Sequence, residues 1–498
     1  MDYFRIQGGR RLSGRVTVEG AKNAALPLMA ASLLTTGRVR LTNVGPLADI
    51  RNLGSLLERL GVNAYFGDDD TITLQTGDES CVNAPYDIVR TMRASICVLG
   101  PMLARRRRAV VSMPGGCAFG TRPIDLHLKG LAKLGARIEL EGGNVVASCD
   151  RLKGATVFLG GANGPTVLGT ANVMSAATLA EGRTVIESAA CEPEIVDLAN
   201  MLNRMGARIR GAGSPRVVID GVEALGGCEH RVMPDRIVAG TYAIAAAMTN
   251  GDVVLDDFPY DSLLAAINHL EEVGVHVSKL NPNDEEHRCS VRVSSNRVLK
   301  PTIITTQPHP GFPTDLQAQF MALLALADGN SIVTEKIYSE RFLHVAELSR
   351  MGAQVYRQGS TAVISGVRQL HGAPVMASDL RASACLVLAG LAAEGETTIS
   401  RVYHLDRGYS NMERVLAALG ADIQRCREQK ADPAEDQVPS IIPSIRGADP
   451  HVRPRGCARG RPAEPQRGGR VRGRPRPPAG ALISLRRPSP AGRAPRGT

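Results

Sequence analysis

Six triplets of a large apolar residue, a glycine and a small or branched residue recur along the first 423 residues: Leu60-Gly61-Val62, Leu134-Gly135-Ala136, Met205-Gly206-Ala207, Val273-Gly274-Val275, Met351-Gly352-Ala353 and Leu419-Gly420-Ala421. Their glycines lie 74, 71, 68, 78 and 68 residues apart. In five copies another glycine precedes the triplet by 23 to 25 residues, at Gly37, Gly182, Gly251, Gly329 and Gly395, and the second copy has Arg105 to Arg108 there. A chain made of six copies of one unit is restricted in its folds, because each copy must bury its apolar face against other copies.

Each copy carries the same order of signals. An Ala/Leu-rich helix such as Asn23 to Leu34 runs to the first glycine, where a left-handed C-cap costs little without a side chain. A β-branched strand follows (Val39 to Leu41, Thr184 to Glu187, Val253 to Leu255, Ser331 to Thr334, Thr397 to Ser400). Then comes an amphipathic helix with apolar residues at helical spacing, as at Ile50, Leu53, Leu57 and Leu60, and the terminal glycine leads into another strand such as Ala207 to Ile209. The unit reads as a βαβαβ module. A period of 68 to 78 residues exceeds the roughly 20 to 50 residues of solenoid repeats. The 498 residues are therefore expected to form two α/β domains of three modules each. Helices apolar on most faces, as in Thr241 to Met248 and Cys385 to Ala393, belong inside each domain with the sheets around them, and the cleft between domains is the expected site.

Composition narrows the class further. The ten cysteines are scattered singly, with no C-x-x-C pair and no His cluster at ligand spacing, so reduced thiols, no structural metal and no disulfide framework are expected. Uncharged stretches such as Ala94 to Ala104 are too short and too broken by Gly and Pro to span a bilayer, which predicts a cytoplasmic protein without membrane contact. The formal charge of +10 belongs to the C-terminus. From Arg446 onward there are 14 Arg against Asp449 and Glu464, leaving 45 basic and 47 acidic residues, a charge of −2, for residues 1–445. The segment 426–498 is expected to be a disordered Arg/Pro/Gly-rich tail. No aromatic interleaves its arginines, so no specific nucleic-acid partner is expected.

One stretch points to chemistry. Residues 114–122, PGGCAFGTR, place Cys117 in a loop whose Gly115, Gly116 and Gly120 allow movement without steric penalty. A single cysteine in isolation reads as a small buried apolar residue; a thiol in a glycine-rich loop ending on an arginine reads as a reactive group on a lid.

With this architecture, the motifs resemble the UDP-N-acetylglucosamine 1-carboxyvinyltransferase family of enolpyruvyl transferases. The matching stretches are GAKNAALP (20–27), RTMRAS (90–95), PGGCAFGTRPIDLH (114–127), EPEIVD (192–197), MPDRI (233–237), PTDLQAQF (313–320), ERFLHV (340–345), DLRAS (379–383) and DRGY (406–409), in order from Asp2 to Arg425. The resemblance implies two inside-out α/β barrels joined by two chain crossings. One domain would comprise residues 1–20 plus 234–425, the other 21–233 with the Cys117 loop. It also implies the reaction: phosphoenolpyruvate and UDP-N-acetylglucosamine give the 3-enolpyruvyl ether and phosphate through a tetrahedral ketal, the first committed step of peptidoglycan synthesis. No metal or organic cofactor is implied, and the protein is expected to be a monomer.

Phosphoenolpyruvate carries about three negative charges, and several fixed cations must offset them in the absence of a metal. By resemblance Lys22, Arg122 and Arg407 take its phosphate, Arg341 and Arg381 its carboxylate, and Arg93 lies beside both substrates. Asp315 reads locally as the N-cap of a helix beginning near Leu316; the resemblance makes it the acceptor of the sugar 3-hydroxyl proton. By resemblance Cys117 supplies a proton to the methylene carbon or shapes the closed loop that allows it. Asn23 reads locally as a helix cap and by resemblance contacts the sugar and the ketal. Arg122, Pro123, Asp125, Leu126 and His127 match the uridine and diphosphate contacts, with Ile337 nearby. Thr166 and Val167 lie in a second diphosphate loop that lacks the lysine found there in many relatives, so a backbone N–H cradle is expected instead. Asp235 matches a structural or sugar-amide position.

Two rivals remain at this stage. The related 5-enolpyruvylshikimate-3-phosphate synthases share the chemistry but lack a cysteine lid of the PGGCAFGTR kind. A binding or scaffold protein using its basic tail would have no need of a base and a thiol together.

Overall fold

The computed structural model describes residues 2–114, 124–281, 288–296 and 298–427. The expected α/β architecture is present in six similar units. In the first, the buried helix Lys22–Ala31 continues as a 3-10 turn, Ser32–Leu34, followed by the strand Val39–Thr42 and the helix Ala48–Arg59. A hairpin, Val62–Phe66 and Ile72–Thr76, completes it. A strand from elsewhere in the chain, Cys228–Arg231, joins the sheet parallel to Val39–Thr42. All six four-stranded sheets repeat this pattern of one parallel pairing followed by two antiparallel ones.

The βαβαβ reading of the unit therefore needs correction, because the second half is a hairpin and not a single strand. The missed strand, Ile72–Thr76, alternates buried Ile72, Leu74 and Thr76 with the less buried Thr73 and Gln75, a pattern open to a period-two reading. It pairs with the edge strand Val62–Phe66, in which only Val62 is buried.

Apolar side chains form two separate clusters. One runs from Ala21 to Val232. The other takes Phe4 to Val18 and then Ile237 to Ile423. Each encloses three of the Ala/Leu-rich helices, and every residue of Arg236–Met248 and Leu380–Ala392 is buried. Full burial of one Leu or Phe contributes about 1.5–3 kcal/mol relative to exposure, so helices without a polar face are stable only in such interiors. The chain passes between clusters at 19–21 and 233–235, and the two crossings are paired. Ala21 N–H donates to Met233 C=O at 2.7 Å and Asp235 N–H to Glu19 C=O at 2.8 Å. At the crossing itself a Cβ on Gly20 would lie 1.8 Å from the Asn43 carbonyl oxygen, so only glycine fits.

All six triplet glycines have positive φ, between 79° and 106°, which is why glycine punctuates each copy. The upstream glycines divide. Gly182, Gly329 and Gly395 are left-handed as expected, whereas Gly37 and Gly251 are not. A Cβ on Gly37 would meet the backbone of Gly227 at 2.4 Å, and one on Gly251 the Leu12 carbonyl at 2.8 Å, so close approach selects glycine there. In the second copy Arg107 takes the left-handed position, with φ 59°.

Both ends of the described chain meet in one sheet. The strand Asp2–Gln7 lies between Glu396–Ser400 and Asp422–Arg427, with Asp2 opposite Arg427. The fold thus runs two residues beyond the expected limit at Arg425. The remainder of the tail lies outside the described residues.

Candidate active site

The paired crossings bring the first turns of several buried helices together. Lys22 follows the first crossing and opens its helix; its backbone N–H donates to Asp235 Oδ2 at 3.3 Å. Asp235 also caps the helix Arg236–Met248, accepting from Ile237 N–H at 2.8 Å and Val238 N–H at 3.1 Å. One carboxylate thus ties both crossings, a structural task for the residue the sequence had placed between structure and sugar.

Lys22 is buried, and its Nζ lies 3.2 Å from Oδ2 of Asp49. Asp49 stands in the first turn of Ala48–Arg59 with only 2% exposure, and accepts from Arg407 Nε at 3.0 Å and Nη2 at 3.4 Å. Arg407 ends the 3-10 segment Val402–Arg407. Asp49 therefore joins a cation from the first apolar cluster's region to one from the second. Burial pulls the Lys22 ammonium below its ordinary range; Asp49 opposes this, while Arg381 and Arg407 add to it.

A second group lies in reach of the same charges. Asp315 sits in the 3-10 turn Thr314–Leu316, its Oδ1 accepting from Arg341 Nη1 at 2.8 Å and its Oδ2 from Arg381 Nη2 at 3.0 Å. It does not cap the helix Gln317–Leu324, whose N-cap residue Leu316 has no side-chain cap. The capping reading is thereby corrected: both carboxylate oxygens are taken by buried guanidiniums, which offer a full charge where backbone N–H groups offer only a dipole. Burial pushes the Asp315 carboxyl up, but Arg381 and Arg341 outweigh it and hold the group well below the usual carboxylate range. Arg381, in the first turn of a helix capped by Asp379, also donates to Tyr409 Oη at 3.2 Å. Arg341 and Arg381 are both buried.

Asn23 lies inside its helix, partly exposed, and Ala21 is the N-cap residue, so the local capping reading fails there too. Arg93 begins the 3-10 segment Arg93–Val98, and its charge reaches His127. His127 is buried in Asp125–Lys133 with its Nδ1 2.9 Å from Asn172 Nδ2. Burial pulls its pKa to about 3, with Arg93 adding to the effect, so a neutral ring is held inward while Asp125 is exposed and Leu126 partly so. Thr166 caps Val167–Ala177 by accepting from Gly169 N–H at 3.2 Å. The Ile337 N–H is already used, donating to Glu335 Oε1 at 2.8 Å. Cys117, Arg122 and Pro123 lie outside the described residues. Among the described residues no group of three or more His, Cys, Asp or Glu could hold a metal ion, and no helix is long and apolar enough to cross a membrane.

Two carboxylates thus face four cations, with Lys22, Asp49, Arg341 and Arg381 buried and Asp315 and Arg407 partly open to solvent. Such a site can take a small multiply charged anion by exchanging internal ion pairs for external ones. The family profile described as EPSP synthase (3-phosphoshikimate 1-carboxyvinyltransferase) matches residues 6–416. The chain is 55% identical over 426 residues to the UDP-N-acetylglucosamine 1-carboxyvinyltransferase of Gluconobacter oxydans (strain 621H), covering 85% of this chain and 99% of the relative. It belongs to this family of transferases. The enzyme of the same name from Lawsonia intracellularis (strain PHE/MN1-00) is 51% identical over 428 residues, covering 86% of this chain and 100% of the relative. The crystal structure of the enolpyruvyl transferase NikO from Streptomyces tendae superposes with a TM-score of 0.76 at 25% identity, over 86% of this chain and 99% of that one. The six-unit fold is accordingly the enolpyruvyl transferase fold.

Asp49 escaped the sequence reading. An acidic residue in a helix's first turn is ordinarily a favourable dipole partner on the surface. The available signal was its neighbours, since Asp49 precedes Ile50 in an apolar-periodic helix with Leu47 before it.

Proposed function

We propose that the chain transfers the enolpyruvyl group of phosphoenolpyruvate to the 3-hydroxyl of UDP-N-acetylglucosamine, releasing phosphate. The observation that carries this reading is the exchange-ready cluster of Lys22, Asp49 and Arg407 beside Arg341, Asp315 and Arg381, in a chain 55% identical to a relative of that name.

In this reading residues 1–20 with 234–425 and residues 21–233 form the two domains, and substrates bind between them. The phosphate takes Lys22, Arg407 and Arg122, while the substrate carboxylate takes Arg341 and Arg381, whose planar guanidiniums match two oxygens each. Arg93 and Asn23 orient the reacting groups. The sugar nucleotide lies along Arg122 to His127, the Thr166–Val167 helix start and Ile337, with His127 contributing its place in the chain more than its inward-turned ring.

The chemistry then follows from charge. Once Arg341 and Arg381 turn to the substrate carboxylate, Asp315 loses the cations that hold it ionised and becomes a better base. The 3-hydroxyl oxygen bonds to C2 of phosphoenolpyruvate as its proton passes to Asp315, and Cys117 gives a proton to C3, forming the ketal. In the elimination the Cys117 thiolate takes a proton back from C3 as the C2–O bond to phosphate breaks and the double bond re-forms, and the proton held by Asp315 leaves with the phosphate, so both groups return to their starting states. General acid–base steps of this kind contribute about 10² to 10⁴-fold each.

The reading places the protein in the cytoplasm as a monomer serving peptidoglycan synthesis, and through it cell shape and division. It makes Cys117 a target for the epoxide fosfomycin. Burial pushes the thiol of Cys97 up to about 12 and raises that of Cys385 further still, so these thiols are expected to stay unlabelled while Cys117 is alkylated, faster with the sugar nucleotide bound; peptide mass spectrometry decides. The function itself is tested by phosphate release from phosphoenolpyruvate with UDP-N-acetylglucosamine against shikimate 3-phosphate. Turnover with the second acceptor alone overturns the assignment.

A further inference from the structure

Glu335 is a fully buried carboxylate with no exposed surface, one residue beyond the strand Asn330–Thr334. Neutral donors surround it. Its Oε1 accepts from Thr306 Oγ1 at 2.8 Å, Ile337 N–H at 2.8 Å and Tyr338 N–H at 2.9 Å. Its Oε2 accepts from Thr314 Oγ1 at 2.9 Å. Burial of a carboxylate is costly, and the four donors that offset the cost are held in fixed orientations by it.

We infer that Glu335 is a positioning residue that sets Arg341, and through it Asp315, while holding the Ile337 turn in place. Thr314 is the link between Glu335 and Arg341. A carboxylate only accepts, so the single hydroxyl proton of Thr314 must point at Glu335, and its lone pairs are left facing Arg341. Arg341 Nη1 donates there at 2.9 Å and to Asp315 Oδ1 at 2.8 Å. The backbone of Arg341 is held from the same source, since its N–H donates to the Tyr338 carbonyl at 2.9 Å and Tyr338 N–H donates to Glu335. One buried group thus orients both the guanidinium and the main chain of Arg341, and couples the turn that carries Ile337 to the turn that carries Asp315.

This inference rests on the proposed reaction for its kinetic consequence, but its geometry is independent of it. Glu335→Gln keeps the shape and reverses one polarity. With its oxygen toward the three donors at Oε1, the amide nitrogen faces Thr314, the hydroxyl proton turns toward Arg341, and the bond between them is lost. The expected result is a fall in kcat and a rise in the KM for phosphoenolpyruvate, together about 10²-fold in kcat/KM, as misplacement by about 1 Å costs on that scale. Thr314→Val should reproduce the loss and Thr314→Ser restore most of it. The double variant Glu335→Gln/Thr314→Val should be no worse than its poorer parent, because both act through one contact.

A purely structural role would lower the melting temperature without changing kcat per folded molecule. If Thr314→Val keeps kcat and KM within twofold of the parent protein, the inference is overturned even where Glu335→Gln fails to fold. Hydrogen exchange supplies a readout that needs no activity: Ile337 and Tyr338 amides should exchange about tenfold faster or more in Glu335→Ala, which removes their common acceptor. Unchanged protection there, or a crystal structure of Glu335→Gln with Thr314 Oγ1 still hydrogen-bonded to Arg341 Nη1, overturns the inference whatever the assay shows. Failure of the parent protein to release phosphate overturns the proposed reaction instead.

Discussion

Asp315→Asn leaves Arg341 and Arg381 buried with a neutral partner in place of a charge. Breaking one side of a buried ion cluster costs about 3 kcal/mol, more than the roughly 1 kcal/mol expected of a lost helix cap. Loss of the base should lower turnover by about 10²-fold or more. Denaturant melts and phosphate release measured together test both, and near-normal turnover would return Asp315 to a structural role. Asp49 makes a different prediction, because Lys22 must stay charged to hold a phosphate. The groups facing the Lys22 ammonium are Asp49 and Asp315, which favour its charge, and Arg381 and Arg407, which oppose it. Burial has already lowered its pKa, so activity is lost as pH rises through that lowered value. Asp49→Asn removes the largest opposing effect and should move the alkaline limb of kcat/KM for phosphoenolpyruvate to lower pH. An unmoved limb would mean that Asp49 does not sustain the charge.

At the scale of elements, the repeat is a repeat of helix endings. Each triplet glycine terminates an amphipathic helix and turns the chain into the hairpin, and the surroundings differ from copy to copy. Around Gly206, with φ 106°, a Cβ would meet nothing within 4 Å, whereas on Gly61 it would lie 2.1 Å from the Asp78 carbonyl oxygen. Gly206→Ala should therefore cost only the backbone strain of a left-handed residue, about 1–2 kcal/mol. Gly61→Ala should cost more, since backbone must also move. Equal losses in denaturant melts of the two variants would show that the clash is relieved without cost.

For the whole molecule, closure of the second apolar cluster depends on the two ends of the folded chain meeting. The strand Asp422–Arg427 covers one side of Asp2–Gln7, and Ile423 is buried beneath it. Truncation after Gly420 should expose a strand edge and lose both the melting transition and activity. Truncation after Ile445 retains every paired strand among the described residues and every proposed site residue, and removes the arginine-rich segment. Its melting temperature and both KM values should match those of the full chain, with weaker salt-sensitive retention on heparin. Activity lost on truncation after Ile445 would place the functional boundary inside the tail.

The sequence by itself determined the six copies, their buried and amphipathic helices and the punctuating glycines, because periodicity and left-handed backbone are local properties. Matching motifs also brought Lys22, Asp315, Arg341, Arg381 and Arg407 forward as candidates. What only tertiary structure decided is which charges pair. Asp49 stands 358 residues from Arg407, and nothing in the neighbourhood of either predicts the other. Asp315 looked like a helix cap because capping is read from adjacent residues, and lost that role to guanidiniums 26 and 66 residues away. Glu335 has two local partners, the amides of Ile337 and Tyr338, but its bonds from Thr306 and Thr314 span 29 and 21 residues and exist only once the fold has brought those hydroxyls to it. Local patterns specify elements through backbone preference and burial, whereas electrostatic partnerships depend on distance in space, which the fold alone supplies.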